Sequence, residues 1–549
     1  MEVVEALRFI GFNVDRVDGH VWGARIPVRI FRPLIGVFLS ASLLLAESLP
    51  PDVVVVGAGI AGLTTALEAA RGGATVAVVD LASVFGGHAV VSEGGLALVG
   101  TPLQEKLGSR DSPDLAYQDF LRFGEDANAA WVRLYVDRSR KDIYDWMVAL
   151  GVQFDGLSRA PGNSAARFHV NPRRGFGLVE PVYRECQKSG KVTFHWNVRV
   201  TRLTQQGGQV NGIEGLHERT GAPFRLSAKA VVLATGGFQS NLELVKANWP
   251  ETLPFPPKIL IGAGINAQGS GLDLARGAGG IVERLDHQWN YPRGLPDPRY
   301  PGMNRGLNFL NPLGIFVNRT GQRFVNEVAA SSVILKAMLQ QPESRGWMVF
   351  DSVGRNSILV SGTDWADPKR VDELILRNPN LVHRADTLSQ LAEKAGWPTE
   401  AFLATIERFN RAVEFGNDLD FDRFNPQNPP SARLGRPAIR PIAVPPFFAA
   451  PLYPMTRKSM GGVVVDLECR VLDVRRQPIP GLYAAGEVTG FNGLNGKAGL
   501  EGTFLGPSIL QGRILGRNLA TLADAGQRPA PDATPAGPTK TAVTVDQPA

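Results

Sequence analysis

The sequence predicts an α/β fold built on a doubly wound, Rossmann-like sheet, and three observations predict it. "VVVV" (Val53–Val56) is a continuous β-branched run, as a strand covered on both faces requires. It runs directly into Gly57-x-Gly59-x-x-Gly62, and the helical apolar pattern of "LTTALEAAR" follows until Gly72-Gly73 stops it. "TVAVVD" then reads as a second strand ending in Asp80, 18 residues beyond Gly62.

Each part has a physical reason. Gly57 allows a tight turn, Gly59 lets backbone approach a pyrophosphate, and Gly62 lets the helix pack close to the strand. The helix N-terminus, around Ala61, offers free N–H groups and positive dipole to phosphates. Asp80 can accept hydrogen bonds from ribose hydroxyls, and its charge would repel a 2′-phosphate. A lone glycine motif is weak, whereas one in register with strand, helix, second strand and terminal acid is strong. FAD and NAD both remain open on this unit alone.

The length of 549 residues suggests two domains, one inserted into the other. Apolar content of 44% and charged content of 20% read as soluble and globular. The net charge of +6 is spread without a dense Lys/Arg block, which favours an anionic small ligand and gives little support to nucleic acid. Cys186 and Cys469 are far apart and no CxxC or CxxCH occurs, so no zinc ribbon, c-type haem or disulfide framework is expected.

"LIGVFLSASLLLA" (Leu34–Ala46) is apolar, with Arg25, Arg29 and Arg32 upstream. It is too short to span a bilayer comfortably. Its length suits a signal-peptide core, but 33 residues precede it and no clear A-x-A site follows. Residues 1–49 are read as an N-terminal extension of a cytoplasmic protein, with export or membrane association through residues 25–46 as the alternative. Residues 527–549, rich in Pro, Ala and Thr, are expected to be a disordered tail.

Three later stretches choose between cofactors. "AKAVVLATGGFQSN" ends a strand at Ala234-Thr235-Gly236-Gly237, "GIFVNRTGQRFVNE" covers Gly314 to Glu327, and "GLYAAGEVTGFNG" ends another strand at Ala485-Gly486-Glu487. With the first motif they resemble the flavoprotein family of succinate dehydrogenase and fumarate reductase, which includes soluble fumarate reductases, 3-ketosteroid dehydrogenases and L-aspartate oxidase. The resemblance runs from about residue 51 to 526, with the motifs in the family's order and spacing. It implies FAD, bound by a domain made of residues 50–284 and 458–526, and an α+β capping domain (285–457) inserted over the active site. "DTLSQLAEKAG" and "TEAFLATIERFNRAVEFG" fit that cap as helices.

Position by position, the resemblance implies that Glu487, beside Gly486, binds the ribityl chain. Ala234, Thr235, Gly236 and Gly237 would lie near the adenosine half, and Val198 and Val200 would frame the adenine. Thr503 and Leu505, where the last helix starts near Gly506, would face the flavin N1–C2=O edge and stabilise negative charge there. In "GGHAVVSEGG", Gly86-Gly87 would approach the pyrophosphate and flavin, and Gly94-Gly95 would pass the ring edge near N5. His88 stands at the spacing of the histidine that bonds the flavin 8α-methyl in the membrane-bound relatives. It is therefore either a covalent flavin ligand or a polar contact to the dimethylbenzene edge or neighbouring backbone.

The chemistry so implied moves a hydride between flavin N5 and one carbon of a C–C bond, and a proton to or from its neighbour. Arg323 matches the proton-donating arginine of the fumarate reductases, with a structural residue beneath the flavin as the alternative. Leu307 and Leu310 stand where its Glu/Arg relay would be, and Arg305 restores one position only if the loop shifts by five residues. Tyr291 and Lys458 stand where two substrate histidines are expected, and Gly499 where a clamping arginine is. Lys458, Arg457 or Lys497 could still hold a carboxylate. "GTFLGP" (Gly502–Pro507) resembles the last flavin turn of the 3-ketosteroid dehydrogenases, but their tyrosines do not recur and Ala329, Ala330 and Ser331 follow "FVNE".

The expectation is therefore neither fumarate reduction nor steroid desaturation. It is α,β-dehydrogenation or enoate-type reduction of a small carboxylate or carbonyl compound, with Arg323, Tyr291 and Lys458 as catalytic candidates and a separate electron donor or acceptor. A flavin oxidase using oxygen, and a flavin-binding isomerase or subunit of a larger complex, are the alternatives.

Overall fold

The computed structural model describes residues 50–424 and 439–523. The apolar run at 34–46 and the tail from 527 lie outside them. Val53–Val56 sits inside a six-stranded sheet ordered Arg470–Leu472, Pro478–Ala484, Ala230–Leu233, Val53–Val56, Val76–Asp80, Val192–Trp196. Every neighbouring pair is parallel except the Arg470–Leu472 edge. The chain winds from Val53–Val56 to one edge, then returns to build the other. The strand order thus reverses at the carboxyl ends of Val53–Val56 and Ala230–Leu233, where such sheets open a crevice for ligands. Val53, Val54 and Val55 are fully buried, as the β-branched run requires.

The first helix, Ile60–Arg71, packs against the last, Leu505–Leu519. Gly512 and Gly516, one turn apart, set that approach. A Cβ on either would come within 2.7 Å of a first-helix carbonyl, Ala61 O or Thr65 O.

Between Ala230–Leu233 and Pro478–Ala484, which are neighbours in the first sheet, the chain builds the whole of a second, largely antiparallel sheet. Its spine is the 13-residue strand Phe447–Ser459. The first half of the spine pairs with Gly346–Phe350 and His383–Ala385; the second pairs with Gln288–Pro296 and Leu260–Ile261. Alternation of side chains gives this sheet two buried faces. Phe316, Met348, Phe350 and Phe448 enter one core. Ile315, Trp347, Val349 and Phe447 enter the other, under Phe402, Ile406 and Phe409 of the helix Thr399–Phe415.

The spine also joins the two sheets. Met455, Trp289 and Tyr291 belong to the core of the nucleotide-binding sheet, so the ribbon of Gln288–Pro296 and Phe447–Ser459 carries its side chains into that boundary. Among the described residues no helix is long and apolar enough to cross a membrane, no acidic, His or Cys residues gather in a metal-binding group, and both cysteines are buried free thiols.

Candidate active site

The glycines of the first turn divide into two kinds. A Cβ on Gly57 would lie 2.2 Å from Ala234 O, and one on Gly62 would lie 2.0 Å from Gly57 O, so both are packing glycines at the point of strand reversal. A Cβ on Gly59 would meet nothing within 4 Å. Gly59 therefore faces open space at the N-cap of Ile60–Arg71, beside the buried Ala61. Gly236 faces open space in the same way, and Thr235 Oγ1 beside it is buried without a partner. Asp80 accepts from Ala58 N at 2.6 Å and Ala82 N at 2.7 Å, which fixes its carboxylate against the Gly57–Gly59 turn. Burial pushes the Asp80 pKa up, against the pull of those two amides.

Gly86 bridges Gly59, and the exposed Gly87 comes next to it at the head of the turn Gly87–Val91. Gly94 and Gly95 are packing positions, because their Cβ atoms would strike the Arg174 backbone and the Phe168 ring. Val198 and Val200 are buried in the strand Val198–Gln206. Gly486, whose Cβ would press on Ala61, donates from its N–H to Gln511 Oε1 at 2.8 Å. Glu487 then accepts from Ser459 N at 2.9 Å and meets His88 Nδ1 at 3.4 Å. Burial holds His88 below the ordinary imidazole pKa although Glu487 opposes this, and its Nε2 is buried without a partner. Open glycine faces, a ribose acid and unpaired buried donors along one crevice fit a dinucleotide with a polar ring system.

Glu487 orients His88 through Nδ1 and leaves Nε2 turned away from it, and a polar contact to the flavin edge is the expected role. After acid precipitation, flavin is expected in the supernatant. Yellow fluorescence that stays with the denatured chain would reverse this assignment.

Beyond Glu487, the ribbon brings Tyr291 and Lys458 together. Lys458 Nζ donates to Tyr291 Oη at 3.3 Å, and Tyr291 donates to Glu501 Oε2 at 2.9 Å. Ser331 Oγ lies 3.2 Å from Glu501 Oε1 and accepts from Arg293 Nη2 at 2.9 Å. The rings of Trp289, Tyr291 and Phe504 surround the Lys458 ammonium at 4.5, 5.4 and 4.3 Å. Burial lowers the Lys458 pKa to about 8. Burial, then Glu501, raises Tyr291 well above the usual phenol value. Arg457, fully enclosed, donates to Gly262 O and Val91 O and leaves Nε unpaired. Phe504 caps the last helix and Leu505 is its first residue. Thr503 Oγ1 lies 2.5 Å from Asn495 Oδ1 and so braces this turn rather than facing outward.

The structure brings two of the three catalytic candidates together and places the third elsewhere. Arg323 makes four hydrogen bonds of 2.8–3.0 Å to Glu327 and Asp418, between the Phe409 and Phe421 rings. Burial favours its deprotonation, but the two carboxylates win and raise its pKa. An arginine so held is a poor proton donor, and its partners, with Arg423 on Glu327, form a staple in the inserted segment. Arg323→Met is expected to destabilise that segment by about 3–5 kcal/mol, read as a lower melting temperature. Turnover per bound FAD should stay within about threefold of the parent; a loss of about 100-fold would return Arg323 to the chemistry.

Other departures also have reasons. Leu307 is buried and carries no proton. Any side chain at Gly499 would strike the Trp289 ring at 2.5 Å, so Trp289 occupies the room of a clamping arginine. Lys497 is exposed. The residues that sequence reasoning missed are Glu501, Arg293, Trp289 and Phe504. The one local signal was an acid between glycines just ahead of the last helix, "GLEGTF".

Comparison with known proteins agrees with the FAD-binding fold. A family model described as FAD binding domain matches residues 52–505. A KsdD-like steroid dehydrogenase of Mycobacterium tuberculosis is 31% identical, over 86% of this chain and 96% of the relative. Among solved structures, the open conformation of a flavocytochrome c3 fumarate reductase superposes with TM-score 0.68 at 27% identity, covering 87% of this chain and 79% of that one. A 3-ketosteroid-Δ4-(5α)-dehydrogenase from Rhodococcus jostii RHA1, solved with 4-androstene-3,17-dione, superposes with TM-score 0.63 at 27% identity, covering 88% and 99%.

Proposed function

Because this chain belongs to the FAD binding domain family and is an FAD-dependent oxidoreductase of the branch that acts on C–C bonds, we propose that it interconverts a saturated and an α,β-unsaturated carbonyl or monocarboxylate compound. The observation that carries this reading is the convergence of Tyr291 and Lys458, 3.3 Å apart, in front of the last helix. Bound FAD, held along Gly59, Asp80, Gly87, Gly236 and Glu487, supplies hydride acceptance or donation. The chain supplies the proton and the charge. Tyr291 is the group that takes or gives the proton on the neighbouring carbon. Lys458 stabilises the phenolate this creates and, with Arg457, favours negative charge developing on a substrate carbonyl or carboxylate oxygen. Three aromatic rings keep water from the Lys458 ammonium, and their faces offset part of that desolvation by cation–π attraction. Trp289 in place of a clamping arginine supports one anchored oxygen group rather than two carboxylates.

The test uses holoenzyme reduced anaerobically and a panel of 2-enoates, enones and their saturated counterparts. Enoates or enones should reoxidise the flavin with one equivalent of saturated product. If no unsaturated compound reoxidises it, and no saturated one bleaches the oxidised form with an acceptor dye present, the reading fails.

A further inference from the structure

Two hydroxyls, those of Tyr291 and Ser331, meet the Glu501 carboxylate. Tyr291 donates to Oε2, and Ser331 bridges to Oε1 with its own oxygen already accepting from Arg293. These groups come from three separate places. Tyr291 and Arg293 lie on Gln288–Pro296, Ser331 opens the helix Ser331–Leu339, and Glu501 precedes the last helix. Glu501 is also partly exposed, whereas Tyr291, Arg293 and Ser331 are buried. A carboxylate with two buried donors and one open side can receive a proton from within and release it outward.

We propose that Glu501 is the proton acceptor of Tyr291, and that Ser331 and Arg293 are positioning residues that aim its carboxylate. This rests on the reading of Tyr291 as the acid–base group. In the oxidative direction the substrate C–H proton passes to Tyr291 Oη as the Tyr291 O–H proton passes to Glu501 Oε2. The C–H electron pair would become the new C=C bond, and FAD, when bound, would supply the acceptor for the hydride on the adjacent carbon. Glu501 then loses its proton to water. Lys458, donating to Tyr291 Oη, offsets the phenolate charge during the exchange. The path replaces a relay whose expected positions hold Leu307 and Leu310.

The experiment has two arms on FAD-loaded protein. With a substrate from the panel, Glu501→Ala should lower kcat by about 100-fold or more. Its KM should stay within about threefold and its FAD content unchanged, and added formate should restore at least about tenfold of the loss. Ser331→Ala should fall between that variant and the parent. Without substrate, tyrosinate absorbance is titrated in the parent and in Glu501→Gln. Removing the carboxylate charge should bring one tyrosine to a lower pKa, and that titration should vanish in Glu501→Gln/Tyr291→Phe. Turnover of Glu501→Ala within about threefold of the parent, absence of formate rescue, or no tyrosine that moves overturns the relay. If the panel yields no substrate, the functional reading fails and the titration alone still decides whether Glu501 governs Tyr291.

Discussion

Tyr291→Phe is expected to retain FAD and the fold while losing about 10²–10⁴-fold in turnover, the usual contribution of a positioned acid–base group. The substitution removes one oxygen from a ring that packs beside Trp289 at a centroid distance of 6.1 Å, so the hydrophobic contact survives. What is lost is the atom that accepts from Lys458 and donates to Glu501. The loss should fall on kcat more than on KM, because the hydroxyl is needed when the C–H bond breaks rather than when the substrate binds. Stopped-flow flavin reduction in the variant separates the two. A reductive half-reaction as fast as the parent's would remove Tyr291 from the chemistry and leave it a structural partner of Lys458.

The second large effect concerns the cofactor. Gly59→Ala is expected to fold normally and to bind FAD at least about tenfold more weakly, because its methyl projects into the space the pyrophosphate needs. Gly57→Ala should behave differently. Its Cβ would sit 2.2 Å from Ala234 O, on backbone at φ +116. Overpacking and backbone strain of about 1–3 kcal/mol each should then destabilise the chain with or without flavin. Melting temperatures of both variants, with and without added FAD, give the contrast. If Gly59→Ala holds FAD as tightly as the parent, Gly59 does not face the pyrophosphate and the assignment of the turn is wrong.

The cofactor half was legible because its information is local. A buried strand, a glycine turn, a helix and a terminal acid occupy one short stretch, and their steric demands follow from residue type. The structure then sharpened the assignment by separating Gly57 and Gly62, which pack backbone on backbone, from Gly59, which faces open space. It likewise gave Gly94 and Gly95 to packing against Arg174 and Phe168. The catalytic half was only partly legible. Tyr291 and Lys458 meet in the structure, whereas Arg323, singled out by the same kind of reasoning, is bound to Glu327 and Asp418. A motif fixes sequence position and does not say which carboxylates will reach a guanidinium, and here Asp418, 95 residues away, reaches it first.

By itself, then, the sequence determined the nucleotide-binding sheet, the FAD crevice at its reversal point and the identity of the family, since each depends on backbone geometry written in contiguous residues. The tertiary structure alone decided which side chains meet around Tyr291. Tyr291, Ser331, Lys458 and Glu501 come from four segments, and Tyr291 and Glu501 are 210 residues apart. Their meeting depends on the long spine of one sheet ending inside the core of the other. Hydrogen-bond reach of about 3 Å is set by that packing, and no local pattern of residues encodes it.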